Sequence, residues 1–257
     1  GPLPPPPVPP APRIPMPRIP LFQVPRRSKP TKKSSEFDED SIQNYQQLIA
    51  ALKAKKVQIT LGNNIIAPDN ISINYDVAIN LNGHSIISEE STRGARVLDI
   101  HSGEVILTGK GNIFAMGSRS VAIRVFGAIS TEIPTYTTLT VDEEVSIFAP
   151  DSYGILASPS LGVAYGLTIN FSGKIFARDG ICLAGGIHGR DRHLPVINIR
   201  SSASIIADEN FGAAAEASGF GHWHIGAAKL TGATGLSAKA GVIDLSHTRI
   251  IASGEAS

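Results

Sequence analysis

The sequence of 257 residues is poor in cysteine and in aromatic residues. It has one cysteine, Cys182, and one tryptophan, and Phe, Tyr and Trp together make up 6% of the chain. A single cysteine excludes an internal disulfide framework, so we expect Cys182 to be a small buried residue. With 42% hydrophobic residues and few large rings, the composition favours a thin core of Ile, Val, Leu and Ala.

The sequence also lacks a long apolar run and a strong net charge. No stretch approaches the roughly 20 apolar residues that span a bilayer, which predicts no membrane span. The net charge of +1 conceals an uneven distribution: residues 1–35 carry seven basic residues and no acidic one, so the remainder carries −6. An acidic body has no general footprint for nucleic acid, and we expect no nucleic-acid partner.

Proline is concentrated at the start of the chain. Thirteen of the eighteen prolines fall within residues 1–30, and this density excludes helix and sheet. We expect residues 1–35 to be a disordered, extended arm. Such an arm is typical of a spacer or stalk. Alternatively, the LPPPP stretch within residues 1–20 is a ligand for an SH3, EVH1 or profilin-type domain.

Residues 36–56 predict an acidic hinge followed by the one convincing helix. Asp40 is placed to cap the helix start, with Gln43 as its capping-box partner. Apolar residues recur at spacings of three and four, which makes one apolar stripe. We expect this helix to cap the first strand of residues 57–257. The stripe consists of Ile42, Tyr45, Leu48, Ile49 and Leu52.

The remaining residues, 57–257, repeat one short phrase. GNIFAMG, VSIFAPDSYG, GKIFARDG, ASIIADENFG and TRIIASG share an apolar pair followed by Ala and a turn. Repeats of 20–50 residues with period-two alternation predict a β-solenoid of about seven or eight turns, with about three strands a turn. Like residues then stack on like residues. The second apolar residues of the phrase are Ile66, Ile87, Phe114, Phe148, Phe176, Ile206, Leu230 and Ile251.

The segments ISINYDVAINLNGHSIIS, VLDIHSGEVILTGKGNIFA and TGATGLSAKAGVIDLSHTRIIASG resemble the right-handed, single-stranded parallel β-helix (pectin-lyase-like) repeats of bacterial secreted and surface proteins. The resemblance covers roughly residues 57–253 and implies an all-β fold and an extracellular or cell-surface location. The fold hosts lyases, hydrolases, adhesins and phage spikes. In its carbohydrate-active members, sugars lie along one parallel sheet.

Acidic residues follow the phrase in several repeats. The turn after the phrase forms a corner of the predicted coil. It contains Asp151, Asp179 and Asp208 in three repeats, and Glu89 lies at a matching offset in an earlier one. In register, their carboxylates would stand about 5 Å apart and repel one another. A Ca²⁺ ion would relieve that repulsion, and we expect no other cofactor. The alternative is that each aspartate bonds its own backbone.

The densest polar cluster is the loop GIHGRDRHL. Asp191, together with Arg190 and Arg192, is a candidate catalytic group that would abstract a proton beside the carboxylate of a uronate. The candidate ligand-binding residues are His188, His193 and Asp179. The alternative is a solvated ion pair.

GFGHWHIG predicts a strand with His222 and His224 on one face and Trp223 on the other. The His-x-His pair is a candidate for part of a metal or ligand site, but no third ligand is evident nearby. An exposed Trp223 would suit sugar stacking, whereas an inward one belongs to the core.

The leading functional interpretation is a non-catalytic secreted or surface module for adhesion or glycan binding. The second interpretation is a polysaccharide lyase or glycoside hydrolase that acts on acidic glycans. The third interpretation is that the proline-rich arm recruits a polyproline-binding partner. The sequence has no Gly-x-Ser-x-Gly elbow, P-loop or HExxH motif. The last phrase lies close to SGEAS, and we expect further chain, a partner or a second copy to cover this end.

Overall fold

The computed structural model describes residues 40–89, 94–126, 136–158, 166–185 and 194–254, which form one helix and two parallel sheets. The predictions for the arm, residues 1–35, and for the loop residues 188–193 lie outside the described residues. The elements are α1 (Tyr45–Lys53), β1 (Gln58–Thr60), β2 (Ile65–Ala67), β3 (Ile71–Ile73), β4 (Val77–Asn80), β5 (Ser85–Ser88), β6 (Arg96–Ile100), β7 (Gly103–Thr108), β8 (Gly111–Phe114), β9 (Val121–Phe126), β10 (Thr137–Val141), β11 (Val145–Ser158), β12 (Leu167–Phe171), β13 (Lys174–Leu183), β14 (Val196–Ile199), β15 (Ser204–Ile206), β16 (Ala213–Ala217), β17 (His222–Gly226), β18 (Lys229–Gly232), β19 (Thr234–Ala238), β20 (Val242–Ser246) and β21 (Arg249–Ala252).

The strands form a parallel β-helix of eight coils. One sheet has eight strands in the order β1-β4-β7-β10-β12-β14-β17-β20, and each strand comes from the next coil. The other sheet has thirteen strands, and its main path runs β2-β5-β8-β11-β13-β15-β18-β21. The long strands β11 and β13 turn a corner and also pair with β9 and β16. The predicted solenoid is confirmed.

Like residues stack inside the coils. Each phrase places an inward isoleucine or leucine directly over its counterpart in the next coil. Full burial of such a side chain contributes roughly 1.5–3 kcal/mol, so the repeated phrase is a packing requirement. The fully buried members of this ladder are Ile65, Ile86, Ile113, Ile147, Ile175, Ile205 and Leu230. Cys182 is buried, as expected.

The second apolar residue of each phrase lies on the opposite face of the sheet, where Ile66 is exposed but Ile87 and Phe114 are covered. Phe148 stacks between Phe114 and Phe176, with ring centroids 4.6 and 5.2 Å apart. The position assigned to Leu230 was wrong by one residue, because Thr231 pairs with Ile206 and Ile251 in this column.

The helix α1 covers the first coil, but its predicted cap was wrong. The N-cap is Asn44, whose side chain accepts a hydrogen bond of 2.9 Å from the backbone N–H of Gln47. The helix therefore begins at Tyr45, four residues later than a cap at Asp40 implies. Leu48 is fully buried against the core, and Ile42 precedes the helix and bridges to Leu61.

The last coil is more open than the others. Val242, Leu245 and Ile250 are 56%, 50% and 41% exposed, whereas the corresponding residues of the middle coils are buried or half-buried. The described residues contain no helix that is long and apolar enough to cross a membrane.

Candidate functional site

A column of polar side chains runs along the outer face of the eight-stranded sheet. Period-two alternation turns every second residue outward, and the parallel register places the outward residues of successive coils side by side. Asn170 pairs with Thr140 on one side and with Asn198 on the other, and Asn198 in turn pairs with His224. This polar column consists of Thr140, Asn170, Asn198, His224 and Asp244.

Hydrogen bonds connect the column along the axis of the β-helix. The Asn170 amide donates to Thr140 Oγ1 over 3.3 Å. The Asn198 amide donates to Asn170 Oδ1 over 2.9 Å, and Arg200 donates to the same oxygen over 3.1 Å. The column is therefore ordered before any ligand binds, which lowers the entropy lost on binding.

Two grooves lie beside the column, at the turns that follow its strands. One, of about 540 Å³, is lined by residues that include Asn198, Arg200, His224 and Asp244. The other, of about 420 Å³, is lined by Asp142, Glu143, Glu144 and other residues of the turns that follow β7, β10, β12 and β14. Arg200 and Ser201 line both grooves. The two grooves thus adjoin and cross several coils.

At one end of the column, His222, His224 and Asp244 form a cluster, which we call the histidine cluster. Asp244 Oδ2 lies 2.7 Å from His222 Nε2 and 3.4 Å from His224 Nδ1. The two imidazole centroids are 4.0 Å apart. In the described residues, this is the one group of three His, Cys, Asp or Glu side chains arranged closely enough to hold a metal ion.

The His-x-His spacing predicts the two histidines as ligands, but nothing near them in the sequence points to Asp244. The third residue lies twenty positions beyond His224, yet the parallel register places the two side by side. The signal for Asp244 is the alignment of HWHIG with VIDLS, the equivalent strand of the next coil.

Trp223 lies between the two histidines in the sequence and points the other way. It is fully buried and pairs with Ile197 and Ile243 inside the coil. The predicted alternation is confirmed, and Trp223 belongs to the core. A ligand-binding role for its indole is therefore wrong, because no face of the ring is available to a sugar.

The corner aspartates are not brought together. Tyr153, and not Asp151, pairs with Asp179, because a bulge between Ala149 and Tyr153 adds two residues to that corner. Asp151 accepts from the backbone N–H of Arg119 over 2.7 Å, and Asp208 accepts from two backbone N–H groups of its own turn. This geometry favours the backbone-bonding alternative over a shared Ca²⁺ site.

Asp179 has a different set of partners. Its Oδ2 is 3.0 Å from Arg178 Nε, and its Oδ1 accepts from the backbone N–H of Ala213 over 3.1 Å. The bond from Ala213 ties one coil to the next, which gives Asp179 a structural role at its corner.

A second polar cluster lies on the side of the thirteen-stranded sheet and was not anticipated. Asp99 is buried and pairs with Arg96 Nε over 3.1 Å, while its Oδ1 has no hydrogen-bond partner among the described residues. The neighbouring Arg124 is stacked over the Phe126 ring at 4.3 Å. Burial lowers the pKa of Arg124, and the positive charge of Arg96 lowers it further.

The predicted catalytic group, Arg190, Asp191 and Arg192, and the predicted ligands His188 and His193 lie outside the described residues. Comparison of the chain with models of protein families, with curated proteins and with solved structures finds no match. The features of the described residues that bear on function are therefore the polar column and its grooves.

Proposed function

We propose that the chain is a non-catalytic module, secreted or displayed at a cell surface, which binds an extended glycan along the polar column. The observation that carries the proposal is the meeting of two grooves at Arg200 and Ser201, beside a column of ordered polar side chains. A linear ligand that crosses several coils matches this shape.

The amides of the column suit sugar hydroxyls. A hydroxyl both donates and accepts, and so does an asparagine side chain. Asn198 uses one of its two amide donors within the column, on Asn170, so its second donor and its carbonyl oxygen are left for a ligand. Arg200 adds guanidinium donors at the point where the grooves meet.

Charge narrows the class of glycan. Asp142, Glu143 and Glu144 line the second groove, and three carboxylates there repel a polyanion. A neutral polysaccharide or one that contains amino sugars therefore fits this face better than a polyuronate does.

Calorimetric titration of the full chain with neutral, amino-sugar and uronate oligosaccharides tests the proposal. We expect saturable binding of a neutral or amino-sugar chain, with affinity about tenfold weaker in Arg200→Ala, the loss of one hydrogen bond of roughly 1.4 kcal/mol. Arg249→Ala, an arginine of β21 on the other sheet, is the matched control and should bind normally.

Absence of binding across the panel would contradict the proposal, and so would equal losses in the two arginine variants. Release of reducing ends or unsaturated uronates, abolished by Asp191→Asn or Arg192→Ala, would instead establish the lyase or hydrolase interpretation.

A further inference from the structure

We infer that His222, His224 and Asp244 form a binding site for a divalent first-row transition-metal ion of the Zn²⁺ type. The inference concerns the histidine cluster alone and does not depend on glycan binding.

The geometry of the cluster is close to that of a metal site. Bonds of about 2.0–2.1 Å at tetrahedral angles place neighbouring ligand atoms about 3.3 Å apart. The two nitrogen-to-oxygen distances, 2.7 and 3.4 Å, bracket this value. The three ligand atoms all lie within 4.8 Å of one another. Small side-chain rotations bring the three atoms to the separation that an ion requires.

The backbone fixes the three residues in this arrangement. His222 and His224 are two positions apart on β17, so alternation places both imidazoles on the outer face. The full burial of Trp223 between them holds the strand in this orientation. Asp244 is the register partner of His224 on β20. The site therefore does not need a loop to fold around the ion.

The ligand types select the ion. Imidazole nitrogen suits Zn²⁺, Ni²⁺, Cu²⁺ and Co²⁺, whereas Ca²⁺ takes six to eight oxygen ligands. One carboxylate and two neutral imidazoles leave a bound divalent ion with one net positive charge and at least one open coordination position. His224 and Asp244 also line the larger groove, so this position opens toward it.

An ion pair between Asp244 and a protonated histidine is the competing explanation, and metal titration separates the two. The probes are Zn²⁺ by calorimetry and Co²⁺ by absorbance and fluorescence, with the full chain freed of any affinity tag. We expect one Zn²⁺ per chain and no binding of Ca²⁺. We also expect Co²⁺ to quench the fluorescence of Trp223, the one tryptophan of the chain, and EDTA to restore it.

The variants Asp244→Asn and His224→Ala should each weaken Zn²⁺ binding at least about tenfold. The controls are His247→Ala, a neighbouring histidine that is bonded to Ser246, and the double variant His188→Ala/His193→Ala; both should bind Zn²⁺ normally. Both cluster side chains are well exposed, so these variants are expected to fold.

Failure of the wild-type chain to bind Zn²⁺ saturably would overturn the inference. Binding that survives both cluster variants, or that disappears in the loop double variant, would overturn it as well. If a variant does not fold, the Co²⁺ absorbance of the wild-type chain decides: only octahedral, water-like bands, without Trp223 quenching, would contradict the site.

Discussion

Individual glycines determine how closely neighbouring coils approach. A Cβ atom at Gly180, in β13, would lie 2.1 Å from the Ala214 carbonyl oxygen and 2.3 Å from Ile205 Cγ2. At Gly226, in β17, no atom lies within 4 Å of the same added carbon. Both glycines are in strands, so alanine variants at the two positions separate the effect of coil packing on stability from the effect of backbone conformation.

We predict that Gly180→Ala lowers the free energy of unfolding by about 1–3 kcal/mol, because the added methyl group forces two coils apart. Gly226→Ala, the matched control, should change it by no more than about 0.5 kcal/mol. Urea denaturation of the two variants measures the difference. Equal stabilities would mean that the coils at Gly180 are not packed as described.

The phenol of Tyr153 should make stability depend on pH in the alkaline range. Burial, with the negative charges of Glu216 and Asp179 adding to it, raises the pKa of Tyr153 to about 12 from the usual 10.0. In the unfolded chain the phenol loses its proton first, so the unfolded state binds fewer protons between pH 10 and 12. Its contribution to stability is complete below pH 10 and falls as the pH rises to 12.

Chemical denaturation between pH 9 and 12 measures this fall, and Tyr153→Phe should make the profile shallower. Absorbance titration of the folded protein should show a tyrosine that ionises near pH 12 and is missing from the variant. An unchanged profile in Tyr153→Phe would contradict the assignment.

At the scale of elements, α1 begins where a side chain caps it. We predict that Asn44→Ala lowers the free energy of unfolding by about 1 kcal/mol, because the backbone N–H of Gln47 loses its acceptor. Asp40→Ala is the control and should have little effect, since Asp40 is exposed and four residues from the cap position. Thermal unfolding of both variants measures the two losses of stability. A larger loss in Asp40→Ala than in Asn44→Ala would indicate that Asp40 is the N-cap.

The sequence predicts the strands well where the phrase recurs, even though the coils differ in length. One column is formed because the apolar pair recurs, and it holds Ile66, Ile87, Phe114, Phe148, Phe176 and Ile206. The prediction fails at KLTG, where the phrase is degenerate and Thr231 takes the position assigned to Leu230. It also fails at the corner of Asp151, where the bulge shifts the alignment.

The candidate site was predicted only in part, because its third residue comes from the next coil. Alternation within one strand is local, so the opposed faces of His222 and Trp223 follow from the sequence alone. The contact of His224 with Asp244 depends on the length of the intervening coil, and a one-residue error in that length turns the aspartate inward.

At the scale of the whole molecule, the stacking of coils places outward polar side chains from separate strands in one continuous column. A single outward Asn contributes little, whereas the polar column spans five consecutive coils and two grooves follow its side. The polar column and the histidine cluster both depend on the register of β10, β12, β14, β17 and β20. Neither feature exists if these strands are paired in another register.

Disulfide cross-linking measures the register most directly, in a Cys182→Ala background that removes the native thiol. Asn170→Cys with Asn198→Cys places the two Cα atoms about 4.8 Å apart, within the range of a disulfide. Thr168→Cys with Asn198→Cys shifts one residue by two positions on the same face, to about 8 Å, which is too far. We predict rapid oxidation of the first pair alone; equal or faster oxidation of the second pair would contradict the account.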